Sequence, residues 1–336
     1  MQLSIFRDTV RAELTSFAWD QWAQLGVFAP TNRRDRWAAD PEALLLFTLE
    51  IGRDEPRLFD EVLDWLLTSQ SLMSVQRLRN LCADDEDRDL AEGALGWVAR
   101  WQPRTRLAPS GGHADEREPR PLFRTLARPV QNPDPAFAAV GLLKPDTEPS
   151  RRSRQPDPLA PISFAFRMRL LFGVGSRAEV VRYLFTKPAG DASAQIVAEA
   201  AGYAKRNINE TLKALVAAGL VTVYELGNEH RYNINVLGWN QVLGLTEETW
   251  PTHRDWPQLL RALRRLSRWL DDPRLEQLTP YMLASEAREL LGEIEADLNF
   301  AGVPVSSTAG ASGDQYWDTF TETIERALAT LNTSRG

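Results

Sequence analysis

Between Ser176 and Asn235 the chain carries an order of starts and stops that few folds accommodate. Ser176 to Thr186 reads as a helix stopped by Pro188. After the loop Ala189-Gly190-Asp191-Ala192, Ser193 has the hydroxyl of an N-cap for a second, short helix through Ala200, with Ile196 and Val197 inward. Ala201-Gly202-Tyr203 makes a tight turn into a third helix, Ala204 to Ala218, closed by Gly219 at its C′ position. Two strands follow, Leu220 to Leu226 and His230 to Asn235, joined by Gly227-Asn228-Glu229. Val221, Val223, Tyr232 and Ile234 supply their β-branched and aromatic residues.

The third helix is two-sided. At about 100° per residue, Ile208, Leu212, Leu215 and Val216 cluster on one side, while Arg206, Asn209 and Lys213, joined by Glu210, cluster opposite. The stretch from Ile196 to Asn235 resembles the DNA-binding core of the MarR- and ArsR-type bacterial regulators, a winged helix-turn-helix. The likeness rests on Ala200, Gly202, the pair Leu212/Leu215 and the Gly219-Leu220-Val221 run into the wing. It covers residues 176–235, under a fifth of the chain, and the flanks carry no family pattern.

The resemblance implies binding of double-stranded operator DNA and regulation of transcription, with the third helix in the major groove. Arg206 suits guanine O6/N7 and Asn209 suits adenine N6/N7, while Lys205 and Lys213 suit phosphates. Tyr203 and Asn207, near the helix start, are phosphate-contact candidates. His230 and Arg231 would work from the wing, where Glu229 beside them repels the DNA backbone. An acidic wing tip also fits a module that binds protein, so an antitoxin-like or adaptor subunit stands as the alternative.

Charge divides the chain in a matching way. Residues 1–150 hold 18 basic and 24 acidic side chains, residues 151–235 hold 12 and 7, and residues 236–336 hold 9 and 15. A module of net +5 therefore sits between two flanks of −6 each, within an overall −7. Acidic flanks of this size also suit a basic protein partner. The arginines at 151, 152 and 154 precede the module, either as a solvated linker or as a minor-groove arm. Arg261, Arg264, Arg265 and Arg268 form a second basic stripe opposite leucines. The surrounding acids are its expected partners, with phosphate or an acidic protein as the alternative.

At 336 residues the chain is long enough for about two domains, and its 43% apolar and 25% charged composition is that of a globular protein. Residues 1–102 read as a helical domain. Phe6, Val10, Leu14, Phe17 and Leu25 follow helical spacing, Asp40-Pro41-Glu42 starts a helix, and another helix runs from Arg88 to Trp101. The tryptophans at 19, 22, 37, 65, 97 and 101 fall on helical stripes and are expected in the core. Twelve of the 21 prolines lie in 103–161, a linker or cover segment containing apolar pieces that dock on a folded surface. Residues 162–240 hold the winged helix, and 241–336 form a C-terminal helical domain with stripes in Trp256–Leu270, in Leu283–Leu298 and after the loop 301–313. The fold class is thus mainly α, with a two-stranded β-wing. Its terminal helices suit either a homodimer seam or packing on their own domain.

Catalytic constellations are lacking. His113, His230 and His253 are far apart and show no metal-ligand spacing with one another or with Cys82. Gly173-Val174-Gly175 lacks the strand-to-helix context of a phosphate loop, and Asp84-Asp85-Glu86-Asp87 reads as a solvated helix start rather than a cation site. The expectation is a protein without cofactor, metal or enzymatic activity. A lone cysteine, no apolar signal core and no run long enough for a bilayer place it in the cytoplasm, without membrane contact.

Overall fold

The computed structural model describes residues 2–31, 33–110, 118–126, 128–187, 192–305 and 314–332. His113, Gly111-Gly112, Pro188, 189–191 and 306–313 lie outside them. The chain is mainly helical with little strand.

The first part is largely helical, with α1 (Gln2–Gln24), α2 (Pro41–Ile51), α3 (Pro56–Ser69), α4 (Val75–Asn80) and α5 (Asp85–Trp101). Asp40 caps α2 by accepting from the Ala43 amide at 3.1 Å, and Pro41 sits at the N-terminal position where a missing N–H costs nothing. Ser74 caps α4, and Asp84 caps α5 by accepting from the Asp87 amide. The proline-rich stretch lies over α5 as β1 (Arg120–Pro121), a single turn α6 (Pro135–Ala138) and β2 (Leu142–Leu143), with β1 and β2 parallel. Its Leu122, Phe123, Phe137 and Leu142 are buried.

Next come α7 (Phe164–Phe172), α8 (Ser176–Thr186), β3 (Ala192–Ser193), α9 (Ala194–Ala201), α10 (Lys205–Ala217), β4 (Val221–Leu226), β5 (Glu229–Ile234) and α11 (Val236–Leu243). The strands form one antiparallel sheet in the order β3-β5-β4. The chain ends with α12 (Trp256–Leu270), α13 (Pro280–Phe300) and α14 (Asp314–Asn332).

Two hydrophobic clusters result. One gathers α7 to α11 around Val181, Val197, Ile208, Leu212 and Tyr232. The other joins both flanks, so that α1, α2, α3 and α5 share a single core with α12, α13 and α14. Every residue of α2 is buried, so it needs cover on all sides, and α1, α3, α5 and α12 supply it. Trp22, Trp37, Trp65 and Trp97 are buried in that core, with Trp19 and Trp101 half-buried against it.

The arginine stripe of α12 is taken up inside the molecule. Arg261 pairs with Asp297, Arg265 with Glu293, Arg264 with Asp87 at 2.7 Å, and Arg268 with Glu50, Asp84 and Asp87. Asp87 and Arg264 are both buried, so the acidic run at the start of α5 is not wholly solvated. The arginines 151, 152 and 154 belong to a segment docked along α1 and α3. The Arg151 and Ser153 amides donate to Asp64, and the Arg154 amide donates to the Gly26 carbonyl at 2.8 Å.

Candidate nucleic-acid interface

The three helices α8, α9 and α10 are positioned by one apolar seam and one glycine. Ile208, Thr211, Leu212 and Leu215 turn the back of α10 into the second cluster. Gly202 ends α9 in the left-handed region, at φ +68°, and turns the chain into α10. A Cβ at Gly202 would stand 2.8 Å from Leu81 Cδ2. Strain and contact together predict that Gly202→Ala lowers stability by about 1–3 kcal/mol, read as a lower urea midpoint.

The front of α10 faces solvent. Lys205, Arg206, Glu210 and Lys213 are exposed, with Asn207 and Asn209 half-buried beside them. Arg206 Nε lies 3.2 Å from Glu210 Oε1 one turn on. Both groups are well solvated, and an i,i+4 contact of this kind contributes only a few tenths of a kcal/mol, so it does not hold the guanidinium back. Asn207 borders two cavities flanking the start of α10. One, of about 490 Å³, also involves Ser176, Arg177 and Gln76, and the other, of about 390 Å³, involves Asn80 and Arg261.

Tyr203 is not on this face. It is buried, its hydroxyl lies 3.1 Å from Ser74 Oγ of the first helical region, and burial pushes its pKa up. Its role is docking, because the turn that carries it is pressed against α4. Asn80 donates to the Gly202 carbonyl and Arg77 to the Ala201 carbonyl in the same seam.

The hairpin differs from its expected form in two details. Leu226 pairs directly with Glu229, leaving the two-residue loop Gly227-Asn228 with Gly227 at φ +62°. A positive φ at the first loop position fits a type II′ turn, whose twist matches the strands, and it makes Glu229 a strand residue. Ala192, expected in a loop, begins β3 and pairs with Tyr232. A strand of two residues is too short to leave a periodic signal. His230 is exposed opposite Glu225, and Arg231 Nη2 is held by Glu229 at 2.8 Å.

No motif signals what joins the two clusters. Asp40, Glu42, Arg77, Arg169, Glu179 and Arg182 form a buried ionic network with no net charge. Arg77 reaches Asp40 at 2.5 Å and Glu42 at 2.8 Å, Arg169 reaches Glu42 at 2.6 Å and Glu179 at 2.7 Å, and Arg182 reaches Glu179 at 2.9 Å. Burial alone would raise the carboxyls of Asp40 and Glu179. The guanidiniums override it, Arg77 and Arg182 lowering Asp40, and Arg169, Arg182 and Arg77 lowering Glu179 well below the usual range. Part of the basic surplus of residues 151–235 therefore neutralises Asp40 and Glu42 of the first helical region instead of facing solvent.

Two groups with catalytic potential are engaged structurally. Burial pushes the Cys82 thiol up to about 12, so no thiolate is present near neutral pH. His253 lies 3.2 Å from the Thr186 hydroxyl and 2.8 Å from Asp255, but that hydroxyl is buried and donates to the Arg182 carbonyl. Among the described residues there is no cluster of His, Cys, Asp and Glu that would hold a metal ion, and no helix long and apolar enough to cross a membrane. Comparison with protein-family models, curated proteins and solved structures finds no match for this chain.

Proposed function

We propose that residues 162–240 act as a winged helix-turn-helix that binds double-stranded DNA and regulates transcription, with α10 as the reading helix and β4–β5 as the wing. The observation that carries this reading is the front of α10. Arg206, Asn209 and Lys213 project from one face whose back is packed, flanked by the exposed Lys205 and the half-buried Asn207. A helix held from behind, with a fork, an amide and an ammonium in front, fits the major groove.

The test is selection of duplexes from a random pool by the full chain, followed by anisotropy titration of the best site at several salt concentrations. Arg206→Ala/Lys213→Ala is expected to weaken binding about 10- to 100-fold and, through the lost Lys213 phosphate contact, to reduce the salt slope by about 1. Failure of the wild-type chain to enrich any duplex, or equal binding by the double variant, overturns the reading.

A second reading has its own observation. The wing exposes Val223, Tyr224 and Leu226 together with Glu225 and Glu229, a surface better suited to a protein than to phosphate. In that case the module is the docking arm of an antitoxin-like or adaptor subunit with a basic protein partner. Val223→Ser/Leu226→Ser would then abolish co-purification of a stoichiometric partner while leaving duplex selection unaltered.

A further inference from the structure

A cleft of about 790 Å³ opens between the two acidic flanks, larger than either cavity beside α10 and sharing no residue with 162–240. Its walls come from α1, from the single turn Pro273–Gln277, and from α13 and α14. The apolar part of the wall is set in place by the core behind it. Leu275 is buried and Leu283 half-buried, and the Trp317 ring is wedged against Phe6 at 5.6 Å and Phe320 at 5.5 Å. The volume falls in the range of concave sites that take small organic ligands, roughly 300–1,000 Å³. Side chains already held in position spare a ligand the entropy of ordering them.

The charged groups of the lining decide the sign of the ligand. They are one guanidinium, Arg7, and two carboxylates, Glu276 and Asp318. Arg7 is largely buried and pairs with Glu276 at 2.7 Å, so its charge is already answered. Asp318 is exposed, and its carboxylate has no hydrogen-bond or ionic partner among the described residues. An anion entering the cleft would therefore meet an unanswered carboxylate and no free cation, whereas a positive charge would meet its complement. The net −6 of each flank favours the same sign at longer range.

We infer that this cleft binds an apolar molecule carrying one positive charge, such as a protonated amine or a quaternary ammonium compound. Its hydrocarbon body lies against Leu275, Leu283 and Trp317, and its charge is directed toward Asp318. The inference does not depend on DNA binding and is tested without DNA.

The experiment is calorimetric titration of the full chain with tetraphenylphosphonium, a rigid apolar cation, and with tetraphenylborate, which has the same shape and the opposite charge. A single tetraphenylphosphonium per chain is expected to bind, about tenfold or more tighter than tetraphenylborate. Asp318→Asn removes an exposed charge without touching the core. It is expected to weaken the cation about 3- to 10-fold and to leave tetraphenylborate no weaker. Ser4 is an exposed residue of the α1 wall, and Ser4→Trp is expected to fill the cleft and weaken the cation about tenfold or more at unchanged circular dichroism. A wild-type chain that takes up no tetraphenylphosphonium at millimolar concentration overturns the inference. So does equal affinity for tetraphenylborate, or binding that either variant leaves unchanged.

Discussion

Arg169→Met is expected to destabilise the protein by about 3–5 kcal/mol at pH 7, seen as a large fall in the urea midpoint. The substitution roughly keeps the side-chain volume but leaves Glu42 and Glu179 facing each other without their shared cation, and it orphans the Leu72 carbonyl that Arg169 also donates to. Arg77 stays on Glu42 and Arg182 on Glu179, but the buried network goes from neutral to one net negative charge, which costs far more than a lost surface ion pair.

The pH dependence separates this cause from lost packing. In the wild-type chain Asp40, Glu50, Asp87 and Glu179 all titrate below their usual range, since arginines outweigh burial at each. Their contribution is therefore complete above the ordinary carboxylate range and is lost as pH falls through the lowered folded values. In the variant, burial acts on Glu42 and Glu179 with one guanidinium fewer. The penalty is then largest where Glu179 is ionised and shrinks as it protonates. The gap between wild type and variant should widen from pH 4 to pH 7, and a gap independent of pH would attribute the loss to packing instead.

Trp256→Ala is the second large effect, with an expected loss of about 3–5 kcal/mol. Trp256 opens α12 yet packs on the first part of the chain. Its ring lies 5.5 Å from Phe17 and 5.7 Å from Trp37, and its indole donates to the Ala38 carbonyl at 3.0 Å. Removing it leaves a cavity and an unpaired carbonyl at the point where the two flanks meet. Because α1 to α5 and α12 to α14 form one core, hydrogen exchange should lose protection in both flanks together. Faster exchange confined to residues 256–332 would show that the flanks are held separately.

Wherever the signal is local, the chain alone determines its structure. Asp40 before Pro41, Ser193 before Ala194 and the glycine at 202 set backbone boundaries through their own hydrogen bonds or φ angles, and these boundaries can be read from residue order. The two-sided pattern of α10 is likewise legible, since its period is that of the helix, and so Arg206, Asn209 and Lys213 emerge on one face.

What depends on contacts across long separations is not legible. Tyr203 looks like an exposed residue at a helix start until α4 is laid over it, and Arg169 and Arg182 look like basic surface until Glu42 and Asp40 meet them. A net charge counted along a segment cannot distinguish a guanidinium facing solvent from one neutralised by a carboxylate more than a hundred positions away. The joining of the acidic flanks into one core has the same origin. Amphipathic periodicity states that a helix has an apolar face, whereas the partner of that face is set by which pairing of helices buries the most surface with the fewest unpaired charges.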